Sequence, residues 1–263
     1  MNQGNQPSGR SVLQQHKLKF IILCVLFYLG LLLNQLPAVQ VVQRLELPNN
    51  ISLQQVSGSI WNGQVKTAHI NGIPLRNIQW QLNFLPLLLG QANADVKIGA
   101  NSPSEIQFTG NVKVNANQYL TITSGNLQLP TDMVVAKMPL PFPVLAEGRF
   151  QLSNIALRYQ LANQVCDELS AEGEWRNASV LGTNGMIPLG NFAADLSCPT
   201  QMVELVIQPN NKLNLSATVQ LSPTGKVQVS GKFKPDNDLP PEVQQAAVLV
   251  GRLDNQGYFS INL

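Results

Sequence analysis

The sequence predicts a mainly β protein, with a single N-terminal transmembrane helix followed by a periplasmic antiparallel β-sheet body. Three observations carry this prediction. After residue 50, apolar and polar side chains alternate with a period of two in run after run. The polar positions of those runs hold Asn, Gln, Ser and Thr in place of charge, which suits half-buried antiparallel sheets. Only 12% of the 263 residues are charged, against about 25% in an ordinary soluble domain. Before the alternation begins, residues 20–33 form an apolar stretch without a single charge.

Taken in order, the first element is a tail of residues 1–17, rich in polar side chains. Arg10, Lys17 and Lys19 are the only charged residues among the first 36 and give that segment a charge of +3. The remaining 14 basic and 15 acidic residues leave residues 37–263 at −1. A nucleic-acid binder would instead spread Lys and Arg over a folded face, so that class is excluded. The second element is the apolar span, which reaches about 20 residues when taken as 18–36, the length a bilayer requires. Lys17 and Lys19 sit where they would snorkel to the membrane interface. Pro37 stops the helix. All nearby basic residues precede the span, so residues 1–17 are expected in the cytoplasm and the rest beyond the inner membrane. The alternative is a cleaved signal peptide, which shares the charged-then-apolar layout. No small-x-small cleavage site follows the span, and no small residue precedes Cys24 as in a lipidated leader.

Of the three cysteines, Cys24 falls in the span, and this topology puts Cys166 and Cys198 in an oxidising compartment. Two readings stand: a structural disulfide, closing a loop of about 33 residues worth on the order of 3–4 kcal/mol, or two free thiols. With only His16 and His69 present, no zinc-type spacing exists, and no metal or cofactor is expected.

Within the body, the alternation predicts strands over 112–114, 119–129, 150–161 and 203–207. Leu213, Leu215, Ala217, Val219 and Leu221 share one strand face, and Val227, Val229 and Phe233 resume it after Ser222-Pro223-Thr224-Gly225, which reads as a hairpin. Short helices are expected over 131–138 and 241–250, the latter with Pro241 and Glu242 in its first turn. An internal duplication is suggested by a constant offset of 114 residues, which matches Trp61 with Trp175, Ile73-Pro74-Leu75 with Ile187-Pro188-Leu189, Asn77 with Asn191 and Leu82 with Leu196. It divides the body into two related β-rich halves, 37–138 and 139–263, each with one short helix and joined at the proline-rich segment 138–143.

Catalytic signatures are missing. There is no G-x-S-x-G elbow, phosphate loop or zinc motif, and His69 lies in an alternating stretch without a Ser or Asp signature, so an enzyme is not expected. Asp167, Glu168, Glu172 and Glu174 concentrate acid, which reads as a solvated loop beside a disulfide, with a calcium site as the alternative.

Two features stand out as structural or partner-contact candidates. Gly58 and Gly63 flank Trp61, which suggests a bulge in a strand where the ring packs on close backbone. The readings for Trp61 are a core ring or one that meets a partner or lipid. Trp80, Phe84 and residues 85–90, ending in Leu89 and Gly90, form the most apolar stretch of the body, read as a buried strand and turn or as a surface on the bilayer headgroups.

The order of these features resembles the type II secretion system protein N family, also called general secretion pathway protein N. The resemblance rests on the anchor ending in Leu36-Pro37-Ala38, the motif Gly58-x-x-Trp61-x-Gly63, Gly72-Ile73-Pro74-Leu75, Trp80-x-Leu82 with Leu87-Leu88-Leu89-Gly90, and Gly173-Glu174-Trp175 between Cys166 and Cys198. It implies an accessory or assembly component at the inner membrane, within the apparatus that exports folded periplasmic proteins, and brings no catalytic residues. Its expected partners are other inner-membrane or periplasmic secretion subunits and inner-membrane lipid. An alternative of another class is a β-groove that binds or guides lipid, since an anchored, repeated β-architecture also looks like AsmA-type inner-membrane proteins; its ligand would be an acyl chain.

Overall fold

In the computed structural model the described residues are 19–25, 27–28, 30, 35–44, 49–100, 102, 104–136 and 144–262. Fourteen strands form one sheet, paired antiparallel throughout. They are β1 (Ile51–Gly58), β2 (Asn62–Ile70), β3 (Ile73–Leu82), β4 (Gln91–Ile98), β5 (Gln107–Asn115), β6 (Tyr119–Pro130), β7 (Ala146–Gln160), β8 (Val165–Gly182), β9 (Gly185–Ser197), β10 (Val203–Ile207), β11 (Ser216–Leu221), β12 (Val227–Phe233), β13 (Arg252–Leu253) and β14 (Phe259–Asn262). Each strand lies beside its predecessor, except that β14 inserts between β12 and β13. Sequential hairpins give this meander because short polar turns allow only antiparallel neighbours.

Among the described residues four short α-helices accompany the strands, α1 (Ala38–Val42), α2 (Phe84–Leu87), α3 (Thr131–Val135) and α4 (Pro241–Val250), and a 3-10 turn spans Pro199–Gln201. The expected helix at 241–250 is present at those bounds, and α3 occupies the first five residues of the other. The first span, 37–138, also holds α1 and α2, which alternation could not reveal in segments this short.

The hairpin predicted at 222–225 forms, with Ala217, Val219 and Leu221 opposite Gly231, Val229 and Val227. In its turn Ser222 Oγ accepts from the Lys226 N–H at 3.0 Å. Amide-rich faces are also present: Asn62, Gln81, Asp95, Asn111 and Thr123 occupy one row across β2 to β6. Asn111 Nδ2 donates to Asp95 Oδ1 at 2.8 Å within that row.

Alternation breaks where the backbone turns left-handed inside strands. Ser124 (φ 56°), Asn154 (φ 54°) and Asn177 (φ 50°) are three such residues, each beside a register shift of its strand pair. Asn tolerates this region better than most side chains, and each bulge bends its strand and restores the apolar face.

Val65 and Ala68 of β2 are buried, but the two core clusters lie in the second half of the chain. Phe150, Trp175 and Phe192 are direct cross-strand neighbours on β7, β8 and β9 and stack at 5.0 and 5.4 Å. Beside them, buried Ala178, Ile187, Leu189, Phe192 and Leu239 pack with half-buried Val243 of α4. A second cluster joins Phe233, Phe259 and Ala247 of α4. The 241–250 helix therefore serves as a cover for the sheet.

The sheet runs unbroken from β6 to β7 across the expected boundary between the halves, because these strands pair from Tyr119–Gln160 to Pro130–Arg149. Trp61 and Trp175 occupy different settings, a turn before β2 and the middle of β8. Ile73-Pro74-Leu75 and Ile187-Pro188-Leu189 each follow a hairpin turn at the start of a strand.

The predicted membrane span falls partly outside the described residues, which omit 18, 26, 29 and 31–34, and the tail 1–17 with Lys17 lies wholly outside them. Residues 19–25, 27–28 and 30 are helical, and Phe20, Leu23 and Phe27 are exposed. Among the described residues no helix is long and apolar enough to cross a membrane.

Candidate functional site

The β1–β2 turn gathers most of the residues singled out in the sequence. Gly58 has φ +83°, and a Cβ there would collide with the Asn62 carbonyl, so glycine is required on both counts. The Ser59 N–H donates to Asn62 O at 2.9 Å, and the Asn62 N–H donates to Ser59 Oγ at 3.1 Å. Trp61 sits in this turn, not in a strand, which corrects the expected bulge around its ring. The ring that covers a glycine is that of Trp80 on β3, which lies across Gly63, its direct cross-strand partner. Trp80 Nε1 donates to Ile60 O at 2.9 Å, locking the indole over the turn. Sequence order could not identify this partner, because Trp80 is adjacent only through sheet register.

The turn also holds the chain at the end of the apolar N-terminal stretch. The Ile60 N–H donates to Leu36 O at 3.1 Å, and Pro37 and Ser59 form an antiparallel bridge. On its other side the Leu82 N–H donates to Trp61 O at 2.7 Å. The Trp61 ring meets Phe84 edge-on at 5.3 Å. Residues 36–37, the β1–β2 turn and the β3–β4 connection thus form one unit.

That connection overturns the expectation of a buried strand and turn. Leu85, Leu88 and Leu89 are 74%, 70% and 79% exposed, and Phe84 is exposed as well. The physical reason is that a run apolar on every side cannot bury itself in one helical turn, α2, containing Pro86. Amides of Leu88, Leu89 and Gly90 close successive turns on the carbonyls of Leu85, Pro86 and Leu87. Gly90 (φ +71°) then lets the chain enter β4. The lack of alternation between Leu85 and Leu89, broken by Pro86, was the available signal that this segment is no strand.

At the start of β8, Cys166 is joined to Cys198 as a disulfide with Cα atoms 6.2 Å apart, in keeping with the expected bridge. The acidic cluster is not a loop: Asp167, Glu168, Glu172 and Glu174 are spaced along β8. Asp167 lies 4.0 Å from Arg158, Glu174 pairs with Arg176, and Glu172 accepts from Asn154 Nδ2 at 3.4 Å. Among the described residues no three His, Cys, Asp or Glu side chains are grouped to hold a metal ion. His69 on β2 pairs with Ser52 and Pro74 in the sheet. Trp175 is half-buried in the aromatic stack, and its Nε1 donates to Glu147 O at 3.2 Å.

Two carboxylates are held below their ordinary range, both by structural contacts. Glu242 on α4 accepts from the Thr183 hydroxyl, the larger influence, and from the Thr183 amide at 2.8 Å. This clamps the β8–β9 hairpin to α4. Asp254 is lowered chiefly by the Tyr258 amide at 2.8 Å, within the turn between β13 and β14.

A concavity of about 910 Å³ opens across β1 to β6 and touches Gly58, Gly63 and Trp80. Its walls include Gln64, Gln79, Gln81, Lys97, Asn111 and Thr123. Amides and charge along this wall are mixed with Trp80 and Val96 and form no predominantly apolar slot, so the acyl-chain groove finds no support here.

The comparisons with known proteins agree on one family. The family model for type II secretion system (T2SS), protein N matches residues 49–262. The chain is similar to the type II secretion system protein N of Vibrio cholerae serotype O1, with 27% identity over 86% of this chain and 89% of that protein. It is also similar to the protein of the same name from Aeromonas hydrophila, at 29% identity over 94% of this chain and 97% of that one. For the Klebsiella pneumoniae protein of that name, identity is 25% over 92% and 93%. No solved structure gives a significant match. The match spans every strand from β1 to β14, and on that ground the chain belongs to the type II secretion system protein N family.

Proposed function

We propose that this protein is an inner-membrane-anchored assembly component of the type II secretion apparatus, acting through partner contacts and without catalysis. Family membership supports the apparatus. The finer reading draws on residues 1–36, whose +3 charge and apolar stretch suit a single-pass anchor with a cytoplasmic N-terminus and a periplasmic body.

The observation that carries the assembly role is the edge strand β1. It ends the sheet, and it pairs with β2 alone among the described strands. Its eight residues contain no charge and no proline. Proteins ordinarily protect such an edge with Lys, Pro or a cover, because unpaired amides and carbonyls recruit another strand. An edge strand without Lys or Pro, contacted by the five-residue α1, is suited to strand addition by a partner subunit, with backbone hydrogen bonds supplying affinity. The opposite edge, β13, is only two residues long.

The test is photo-crosslinking in secreting cells from Gln54 on β1, with Trp61, Leu89 and Leu221 as further sites. Adducts to inner-membrane or periplasmic secretion subunits, strongest from Gln54, are the expected result. Normal secretion in a strain deleted for this protein would refute a required role. Adducts only from sites away from β1 would refute the edge as the contact.

A further inference from the structure

We propose that the β3–β4 connection, residues 84–89, is a membrane-docking loop, inserting Leu85, Leu88 and Leu89 into the headgroup–acyl boundary of the bilayer that holds the anchor. This inference rests on the anchored reading of residues 18–36. It adds that the folded body is not a free sphere on a tether but sits on the bilayer with one edge of its sheet.

Three observations converge on it. First, the loop is apolar and uncovered, with Leu85, Leu88 and Leu89 each at least 70% exposed. Soluble surfaces rarely place three such leucines within five residues unless something covers them. Second, its position relative to the apolar stretch is fixed. Leu36 and Pro37 are hydrogen-bonded and bridged to Ile60 and Ser59, and Trp61 of the same turn contacts Phe84. The loop therefore lies beside the point where the chain leaves the N-terminal stretch.

Third, charge is distributed unevenly between the two edges of the sheet. Because the sheet is a meander, the β1–β2, β3–β4, β5–β6, β7–β8, β9–β10 and β11–β12 connections all emerge on the edge that carries this loop. Those six connections contain no Asp or Glu, and Lys226 is their one charged residue. The connections of the opposite edge carry Glu105, Asp132, Asp236, Asp238, Glu242 and Asp254. An edge facing anionic headgroups must exclude acid, while one facing away is under no such constraint. The first acids inside the loop's edge are Glu204 on β10, which accepts from Gln220 Nε2 at 2.8 Å, and Asp167 and Glu168 at the start of β8, where Asp167 lies 4.0 Å from Arg158. Trp61 and Phe84 behind the leucines provide the aromatic body that interfaces favour.

A protein partner could also cover leucines, but an apolar loop adjoining the chain's own bilayer entry point, on an acid-free edge, fits lipid as its occupant. The experiment uses the full chain, with Cys24→Ala as background, purified and reconstituted alone into phosphatidylethanolamine–phosphatidylglycerol bilayers. Nitroxides are attached at Leu88→Cys, Leu89→Cys, Phe27→Cys or Leu249→Cys, and collisions with oxygen and with a water-soluble nickel chelate are compared. Leu249 is 70% exposed on α4, at the opposite edge, and is the control. Expected are a several-fold lower nickel accessibility and a higher oxygen accessibility at Leu88 and Leu89 than at Leu249, with Phe27 deeper still.

Phe27 in the bilayer with Leu88 and Leu89 open to nickel would overturn docking and leave the anchor standing. Phe27 open to nickel would refute the anchor, and docking with it. Leu88 and Leu89 shielded from both quenchers would indicate cover by protein, such as a second copy, and would also overturn the proposal. Equal bilayer signatures at Leu88 and Leu249 would refute the orientation.

Discussion

Replacing Gly63 with alanine tests the packing that organises the β1–β2 turn. Gly63 has no left-handed φ, so an alanine meets no backbone penalty there. In a strand the exchange ordinarily gains about 0.5–1 kcal/mol, because glycine loses more conformational freedom on folding. Here the added methyl would overlap the six-membered ring of Trp80. The ring cannot slide away freely, since its Nε1 is bonded to Ile60 O at 2.9 Å. Overpacking costs about 1–3 kcal/mol, and loss of the indole hydrogen bond adds roughly 0.5–1.5 kcal/mol. The net expectation is a loss of about 2 kcal/mol after the propensity gain, or a fall in Tm of roughly 4–8 °C for a domain of this size. Thermal unfolding of the full chain in detergent, followed by near-UV circular dichroism, measures it. In a Trp80→Ala background the same substitution should become neutral or stabilising, which isolates the ring as the cause. A neutral or stabilising Gly63→Ala in the native background would refute the reasoning.

Two other perturbations probe the second half of the chain. Cys166→Ser is expected to lower stability by about 3–4 kcal/mol, since the bridge spans 32 residues of sequence; a reductant should destabilise the native chain equally and leave the variant unchanged, and an unaltered melting curve on reduction would contradict this. Glu242→Gln should weaken the clamp on Thr183: because the folded protein holds this carboxyl below its ordinary range, its contribution is full above that range and is lost as pH falls through the lowered value. The native chain and the variant should thus differ in thermal stability at neutral pH and converge in acid, and a difference independent of pH would show that Glu242 acts by packing alone.

Much of the architecture was legible because alternation is a local property. The hairpin at 222–225, the helix at 241–250 and the strands around 112, 119 and 203 each follow from which faces of a short segment are apolar. The family resemblance was legible for a related reason, since it depends on the order of Gly58, Trp61, Gly63, Trp80 and the two cysteines along the chain. Errors occurred where the deciding neighbour was distant or the pattern failed. The acids of β8 resemble a loop in sequence because Asp167 and Glu168 are adjacent and break the two-residue period, where β8 carries an extra residue opposite Arg158 and Tyr159. For the leucines at 85–89 the sequence leaves a buried strand and turn and a bilayer-facing surface both open, because hydrophobicity alone does not state what, if anything, packs against it.

By itself, then, the sequence determined several of the strands, the hairpin at 222–225, the helix at 241–250, the sparing use of charge and the asymmetry of the N-terminal basic residues, all consequences of side-chain chemistry within a few residues. Only the tertiary structure decided that Trp80 and not Trp61 covers Gly63, that Leu36 is bonded to Ile60, and that the connections without acid all emerge on one edge of the sheet. Those facts depend on register: a shift of one residue between strands would move every side chain to the other face, and register is set by the sum of many cross-strand contacts, which no single segment contains.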